Sequence, residues 1–138
     1  MDDRFVLIGL TNGSVACIYA LNNVTKWVIS VSNVSITAVL ADLYDEAKEQ
    51  RFYAGDTIGN IFVIDEKGNL ITKINTKGSR IFGILASNSK KIVAYYDGGA
   101  YEYELQGYNA FLMKDYTSTG RYSVDADGTF HDSRGKVY

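Results

Sequence analysis

The chain has 138 residues, 46% of them hydrophobic and 22% charged, with a net charge of −2; that is enough for one domain with one core. The charge argues against a protein whose main task is gripping nucleic-acid phosphates. No apolar run approaches the roughly 20 residues that a membrane-spanning helix needs, and Asp2 and Asp3 stand where a secretory signal would place positive charge. The expectation is a soluble, cytoplasmic protein with neither membrane nor nucleic acid as partner.

Strand signals dominate. Residues 4–10, 14–20, 26–31 and 36–41 make a first set of four runs, 51–54, 60–65, 70–75 and 80–86 a second, and 91–96, 100–105, 110–115 and 121–125 a third. Each run is β-branched or aromatic and is closed by turn residues such as Thr11-Asn12-Gly13 and Glu66-Lys67-Gly68-Asn69. Turns this short join strands only as antiparallel hairpins, so each set reads as a meander. The triplets beginning at Asn12, Asn23 and Asn33 have the pattern of glycan acceptors but read as turns, which Asn, Ser and Thr favour. Residues 42–50 form the only helix-like stretch, with Asp42 as its candidate cap, although an isolated helix of this length is marginal in water. The tail reads as a hairpin over 123–131, then the start of a further strand at 135–138.

The sets carry a weak repeat. Leu7-Ile8-Gly9-Leu10-Thr11-Asn12-Gly13-Ser14-Val15 returns as Tyr53-Ala54-Gly55-Asp56-Thr57-Ile58-Gly59-Asn60-Ile61, and in worn form as Val93-Ala94-Tyr95-Tyr96-Asp97-Gly98-Gly99-Ala100-Tyr101. A second anchor, Ile36-Thr37-Ala38-Val39-Leu40-Ala41, returns as Ile81-Phe82-Gly83-Ile84-Leu85-Ala86. A period of about forty residues built from short strands is the mark of propeller blades. Gly9 and Gly55 lie inside strand-like runs, where a missing side chain permits close backbone approach. Gly13, Gly59, Gly98 and Gly99 are placed as turn glycines, the second glycine of each pair being free to take positive φ. The fold class predicted is all-β: one domain of about three four-stranded, propeller-like blades over 4–41, 51–86 and 91–125, with a hairpin and strand over 126–138. Characterised propellers typically use four to eight blades. Three therefore imply either two chains closing a six-bladed ring, which favours a homodimer, or an open β-sandwich.

The second repeat, Tyr53-Ala54-Gly55-Asp56 through Gly59-Asn60-Ile61 to Val63-Ile64-Asp65 and Gly68, resembles the pyrroloquinoline-quinone-type propeller family, and Thr25-Lys26-Trp27 in the first resembles that family's tryptophan segment. The resemblance covers roughly residues 4–105. It implies a ring of blades, which in the family's enzymes surrounds a quinone and a metal. The adjacent cysteine pair that some of those enzymes place over the quinone is missing here, so the resemblance is carried to the fold and not to the activity. No cofactor is expected.

Catalytic constellations are equally thin. Cys17 is the single cysteine, which excludes an internal disulfide, and it reads as a small buried hydrophobe. Neither a nucleophile elbow nor a phosphate loop occurs. Glu102 and Glu104 alternate with Tyr101 and Tyr103, which puts acid on one strand face and aromatic rings on the other. Asp125, Asp127, His131 and Asp132 are weak candidates for a metal, set against the plainer reading of an Asp-Gly hairpin turn. Tyrosine offers apolar area with a polar tip and is enriched at interfaces. Tyr95, Tyr96, Tyr101, Tyr103 and Tyr108 are therefore the candidate partner-binding set. The function expected is a non-catalytic scaffold or protein-interaction module that self-associates. The alternative is a small-molecule or carbohydrate-binding protein with its site near Gly9, Gly55 and Tyr95.

Overall fold

The computed structural model describes residues 5–44, 49–76, 79–88, 91–96, 99–106, 109–115, 122–124 and 130–132. Eleven antiparallel strands form three sheets, with no helix among the described residues. The first sheet is β1 (Phe5–Gly9), β2 (Ser14–Tyr19) and β3 (Thr25–Ser30). The second is β4 (Ile36–Tyr44), β5 (Glu49–Asp56), β6 (Asn60–Asp65) and β7 (Leu70–Asn75). The third is β8 (Ile81–Asn88), β9 (Lys91–Tyr96), β10 (Gly99–Gln106) and β11 (Asn109–Asp115). Each is a meander in chain order, and the array is open. A hairpin of β12 (Tyr122–Val124) and β13 (Phe130–Asp132) follows, overlapping the tail hairpin read over 123–131.

The sheet boundaries fall one strand earlier than the repeats suggest. The run at 36–41 does not complete the first sheet; as β4 it pairs with β5 through Ile36↔Asp56 and Leu40↔Tyr53. Likewise the run at 80–86 becomes β8 and pairs with β9, and β12 pairs with β13 instead of closing the third sheet. The helix-like stretch is also corrected at both its ends, its residues 45–48 lying outside the described residues. Asp42, Leu43 and Tyr44 pair with Arg51, Gln50 and Glu49, so β4 and β5 run on as one long ladder. A short helix gains little by itself, whereas extending an existing ladder adds cross-strand bonds to a scaffold already in place.

The second sheet is buried on both faces because β5 and β6 alternate apolar residues to either side. Phe52, Ala54 and Ile64 pack with Ile36 against Val15, Cys17 and Trp27 of the first sheet. Tyr53, Ile61, Val63 and Ile74 pack with Ile81 against Ile84, Ile92, Ala94, Tyr101, Tyr103 and Leu105 of the third. Two glycines set the spacing. A Cβ on Gly55 would lie 2.6 Å from Ile81 Cγ2, and one on Gly9 would lie 2.9 Å from Ile36 Cβ. The lone tryptophan is held in a clamp. Its ring meets Phe52 edge-on at 5.3 Å, and Nε1–H donates to the Glu66 carbonyl at 3.1 Å. Gly68, at φ +88°, turns the backbone so close that a Cβ there would lie 2.6 Å from Trp27 Cγ.

Candidate functional site

The two best-formed turns share one device. In Asp56–Asn60, the Asp56 carboxylate accepts from the Asn60 amide N–H (2.8 Å), the Ile58 amide N–H (3.1 Å), Asn60 Nδ2 (2.9 Å) and Ser32 Oγ (2.9 Å). Gly59 at φ +91° lets the chain reverse. Asp65 repeats the pattern in the next turn, accepting from the amides of Lys67 and Asn69 and from Asn69 Nδ2. Burial pushes the Asp65 carboxyl up, but the Asn69 and Lys67 hydrogen bonds and the Lys67 charge outweigh it and hold the group below the usual carboxylate range. Gly13, at φ +87°, is a turn glycine as expected. Gly99 instead lies within β10, and Gly98 lies outside the described residues.

The third unit has a shorter turn, and this decides where its tyrosines go. Gly55 pairs with Ile61, whereas Tyr95, at the matching position, pairs with Ala100. The turn from β9 to β10 is one residue tighter, so β10 is offset by one and Tyr101 and Tyr103 point at the second sheet. Both are buried, at 7% and 6% exposure, within the core between these sheets. Tyr101 stacks on half-buried Tyr96 at 5.1 Å. Tyr95 lies across Gly83, filling the space that a side chain there would need. Of the four tyrosines of the candidate set that are described, Tyr101 and Tyr103 are thus buried against the second sheet, while Tyr95 and Tyr96 are half-buried. Tyr108 lies outside the described residues.

Where the second and third sheets part, at the outer strands β7 and β11, a cleft of about 480 Å³ remains. It is lined by Thr72, Lys73, Ile74 and Asn75 on one side, Asn109, Ala110 and Leu112 on the other, and Tyr101 and Tyr103 between. The cleft brings together two of the sequence-predicted residues, Tyr101 and Tyr103. The polar residues of its walls carry no motif; only the offset of the third unit exposes the arrangement. Near Gly9 and Gly55 the Ile36 and Ile81 side chains sit over the glycines, and a small open pocket of about 190 Å³ is lined by Gly9, Ile36, Thr37, Ala38 and Val39.

Of the metal candidates, Asp125 and Asp127 lie outside the described residues, and His131 and Asp132 are described only as backbone in β13. Among the described residues no three His, Cys, Asp or Glu side chains converge. Cys17 is buried between the first two sheets, and burial pushes its thiol up, with the Lys26 charge pulling weakly the other way. No helix is long and apolar enough to cross a membrane among the described residues.

No protein-family model matches the chain, and no curated protein matches it in sequence. Solved structures do match. The crystal structure of the computationally designed Ika8 protein superposes with a TM-score of 0.70 at 17% identity, over 99% of this chain and 46% of that one. The chain therefore spans less than half the length of that structure. With 358 solved chains matching, the architecture is widely reused, and the likeness speaks for fold and not for activity.

Proposed function

We propose that this chain is a non-catalytic scaffold or interaction module that self-associates, its three sheets acting as consecutive propeller-like blades. The observation that carries the reading is the outer face of the first sheet. Leu7, Val15, Cys17 and Trp27 point at the second sheet, so the alternate residues Val6, Ile8, Ala16, Ile18 and Val28 share the opposite face. That face is apolar, with Val6 48% and Val28 58% exposed. It corresponds in register to the Phe52, Ala54, Phe62 and Ile64 face by which the second sheet covers the first. At the far end of the array Phe111, paired with Glu104, lies on the face of β11 turned from the second sheet and is 48% exposed.

A second copy suits both ends at once. Each copy's first sheet set against its partner's third sheet is a closed, two-fold arrangement, the commonest kind of oligomer. The matching designed structure, more than twice as long as the stretch shared, supports an array that extends beyond three sheets. Light scattering coupled to size exclusion across a concentration range is the test. The expected species is a dimer near twice 15.3 kDa, and Val28→Lys shifts it to monomer by burying an unpaired charge in the interface. A wild-type monomer at every concentration overturns the reading.

A further inference from the structure

We propose that the self-association above, on which this rests, is completed by strand exchange: β12 of one copy pairs along β1 of the other. The first sheet is one strand short. The second sheet opens on β4, paired with β5, and the third on β8, paired with β9, whereas the first opens directly on β1. That β1 stands in the place of β5 follows from the glycines: Ile36 of β4 sits over Gly9 as Ile81 of β8 sits over Gly55. The edge of β1 turned from β2 has no strand partner among the described residues. A pocket of about 190 Å³ opens there, between Gly9 of β1 and residues 36–39 of β4. One sheet further on, β4 fills the matching position, running beside β5 and packing on β8. Its Thr37 hydroxyl donates to the Ile81 carbonyl at 2.6 Å and ties the two opening strands together.

The chain order makes β12 that missing strand. Residues 31–35 lead from β3 to β4, residues 76–80 from β7 to β8, and residues 116–121 from β11 to β12. So β12 stands where the opening strand of the next sheet belongs. Its register agrees, since Tyr122 opposes Asp132 as Ile36 opposes Asp56, and Ser123 then follows as Thr37 does. Within one copy β12 pairs with β13, which leads into Asp132-Ser133-Arg134-Gly135-Lys136-Val137-Tyr138, a repeat of Asp56-Thr57-Ile58-Gly59-Asn60-Ile61-Phe62. The strand β1 leads into Thr11-Asn12-Gly13-Ser14-Val15, the same pattern again. Thus β13 and β1 are alternatives for one position beside β12. The hairpin of β12 with three-residue β13 is a sheet of its own, and a two-stranded sheet alone is marginal in water. By contrast, β1 has five residues and is already held by β2. With the first sheet of one copy set against the third sheet of its partner, the partner's β12 follows that third sheet directly, so the exchange needs no long reach.

Two full-length cysteine designs test the exchange. The pairing Ile36↔Asp56 transfers to Tyr122 of one copy opposite Leu10 of the other, a directly opposed pair within reach of a disulfide. Mixing the Leu10→Cys and Tyr122→Cys chains under copper-phenanthroline oxidation is expected to give a cross-linked heterodimer near twice 15.3 kDa. Either chain oxidised alone gives far less, and the wild type, with Cys17 buried, gives none. The second design, Tyr122→Cys/Asp132→Cys, bridges β12 to β13 within one chain. Closing that bridge is expected to weaken dimerisation at least about tenfold by light scattering, the effect of losing two modest backbone hydrogen bonds. Reductant restores the dimer, which separates lost pairing from lost folding. A dimer indifferent to the bridge, or one that forms without the mixed cross-link, overturns the strand exchange and leaves the face-to-face dimer standing. A wild-type chain that is monomeric at every concentration overturns both.

Discussion

Asp56 and Asp65 occupy the same place in equivalent turns yet differ in what surrounds them. Asp56 is fully buried and receives four hydrogen bonds, one from Ser32 beyond its own turn. Asp56→Ala strands buried amide donors, each costing about 1–3 kcal/mol. A loss of at least about 3 kcal/mol in urea unfolding is therefore expected, whereas Asp65→Ala, whose donors turn to water, costs about 1 kcal/mol or less. Asp65 also sets a pH dependence. Its folded-state acidity is stronger than in the unfolded chain, so its contribution is present at neutral pH and is lost as pH falls through the carboxylate range. Asp65→Asn flattens that part of the stability profile, and an unchanged profile would remove Asp65 as the source. Cys17 is legible from its apolar setting alone; buried, with its thiol pushed up, it resists alkylation in the native state and reacts on unfolding. Gly13 and Gly59 are legible as turn glycines, because positive φ leaves few alternatives, whereas Gly99, read the same way, lies within β10. The Asp-to-Asn pairing across each turn is not, since either residue alone is an ordinary turn former.

At the scale of elements, individual strands can be read from composition, while their assignment to sheets cannot. The runs at 26–31 and 36–41 are separated by a loop as short as those that join true hairpins, so nothing local says that the sheet ends after β3. What separates the sheets is packing. Ile36 and Ile81 sit over Gly9 and Gly55 and wedge consecutive sheets apart at their inner strands. The tightness of that fit predicts a coupling. Gly55→Ala forces its Cβ against Ile81, where contact would fall at 2.6 Å, and costs about 1–3 kcal/mol through overpacking. Ile81→Ala alone costs about 2–5 kcal/mol, but it opens the space that the methyl added by Gly55→Ala needs. The double variant is therefore less destabilised than the sum of the two, and strict additivity in a double-mutant cycle would refute the wedge. The same limit of local reading explains the tyrosines. Their clustering is visible in sequence, but which face they occupy depends on a one-residue difference in the turn from β9 to β10.

Over the whole molecule, protection is uneven by construction. The second sheet is covered on both faces, and its central strands β5 and β6 hold Phe52, Tyr53, Ala54 and Ile61–Ile64 fully or almost fully buried. The first sheet has three strands and one covered face. Local opening follows buried contact, so amide exchange should be slowest in β5 and β6 and distinctly faster in β1–β3 when the protein is dilute. The self-association proposed above would add the missing cover. As concentration rises through the dimerisation range, protection of β1, β2 and β3 grows, while β5 and β6 stay near the global limit. Val28→Lys removes the concentration dependence without lowering protection in the second sheet, since Val28 is 58% exposed and points away from it. Concentration-independent exchange in β1–β3 would show that the outer face of the first sheet meets no second copy. A rise confined to β7 and β11 would instead place the contact at the cleft. Because the two surfaces lie on different sheets, one exchange experiment at two concentrations separates them.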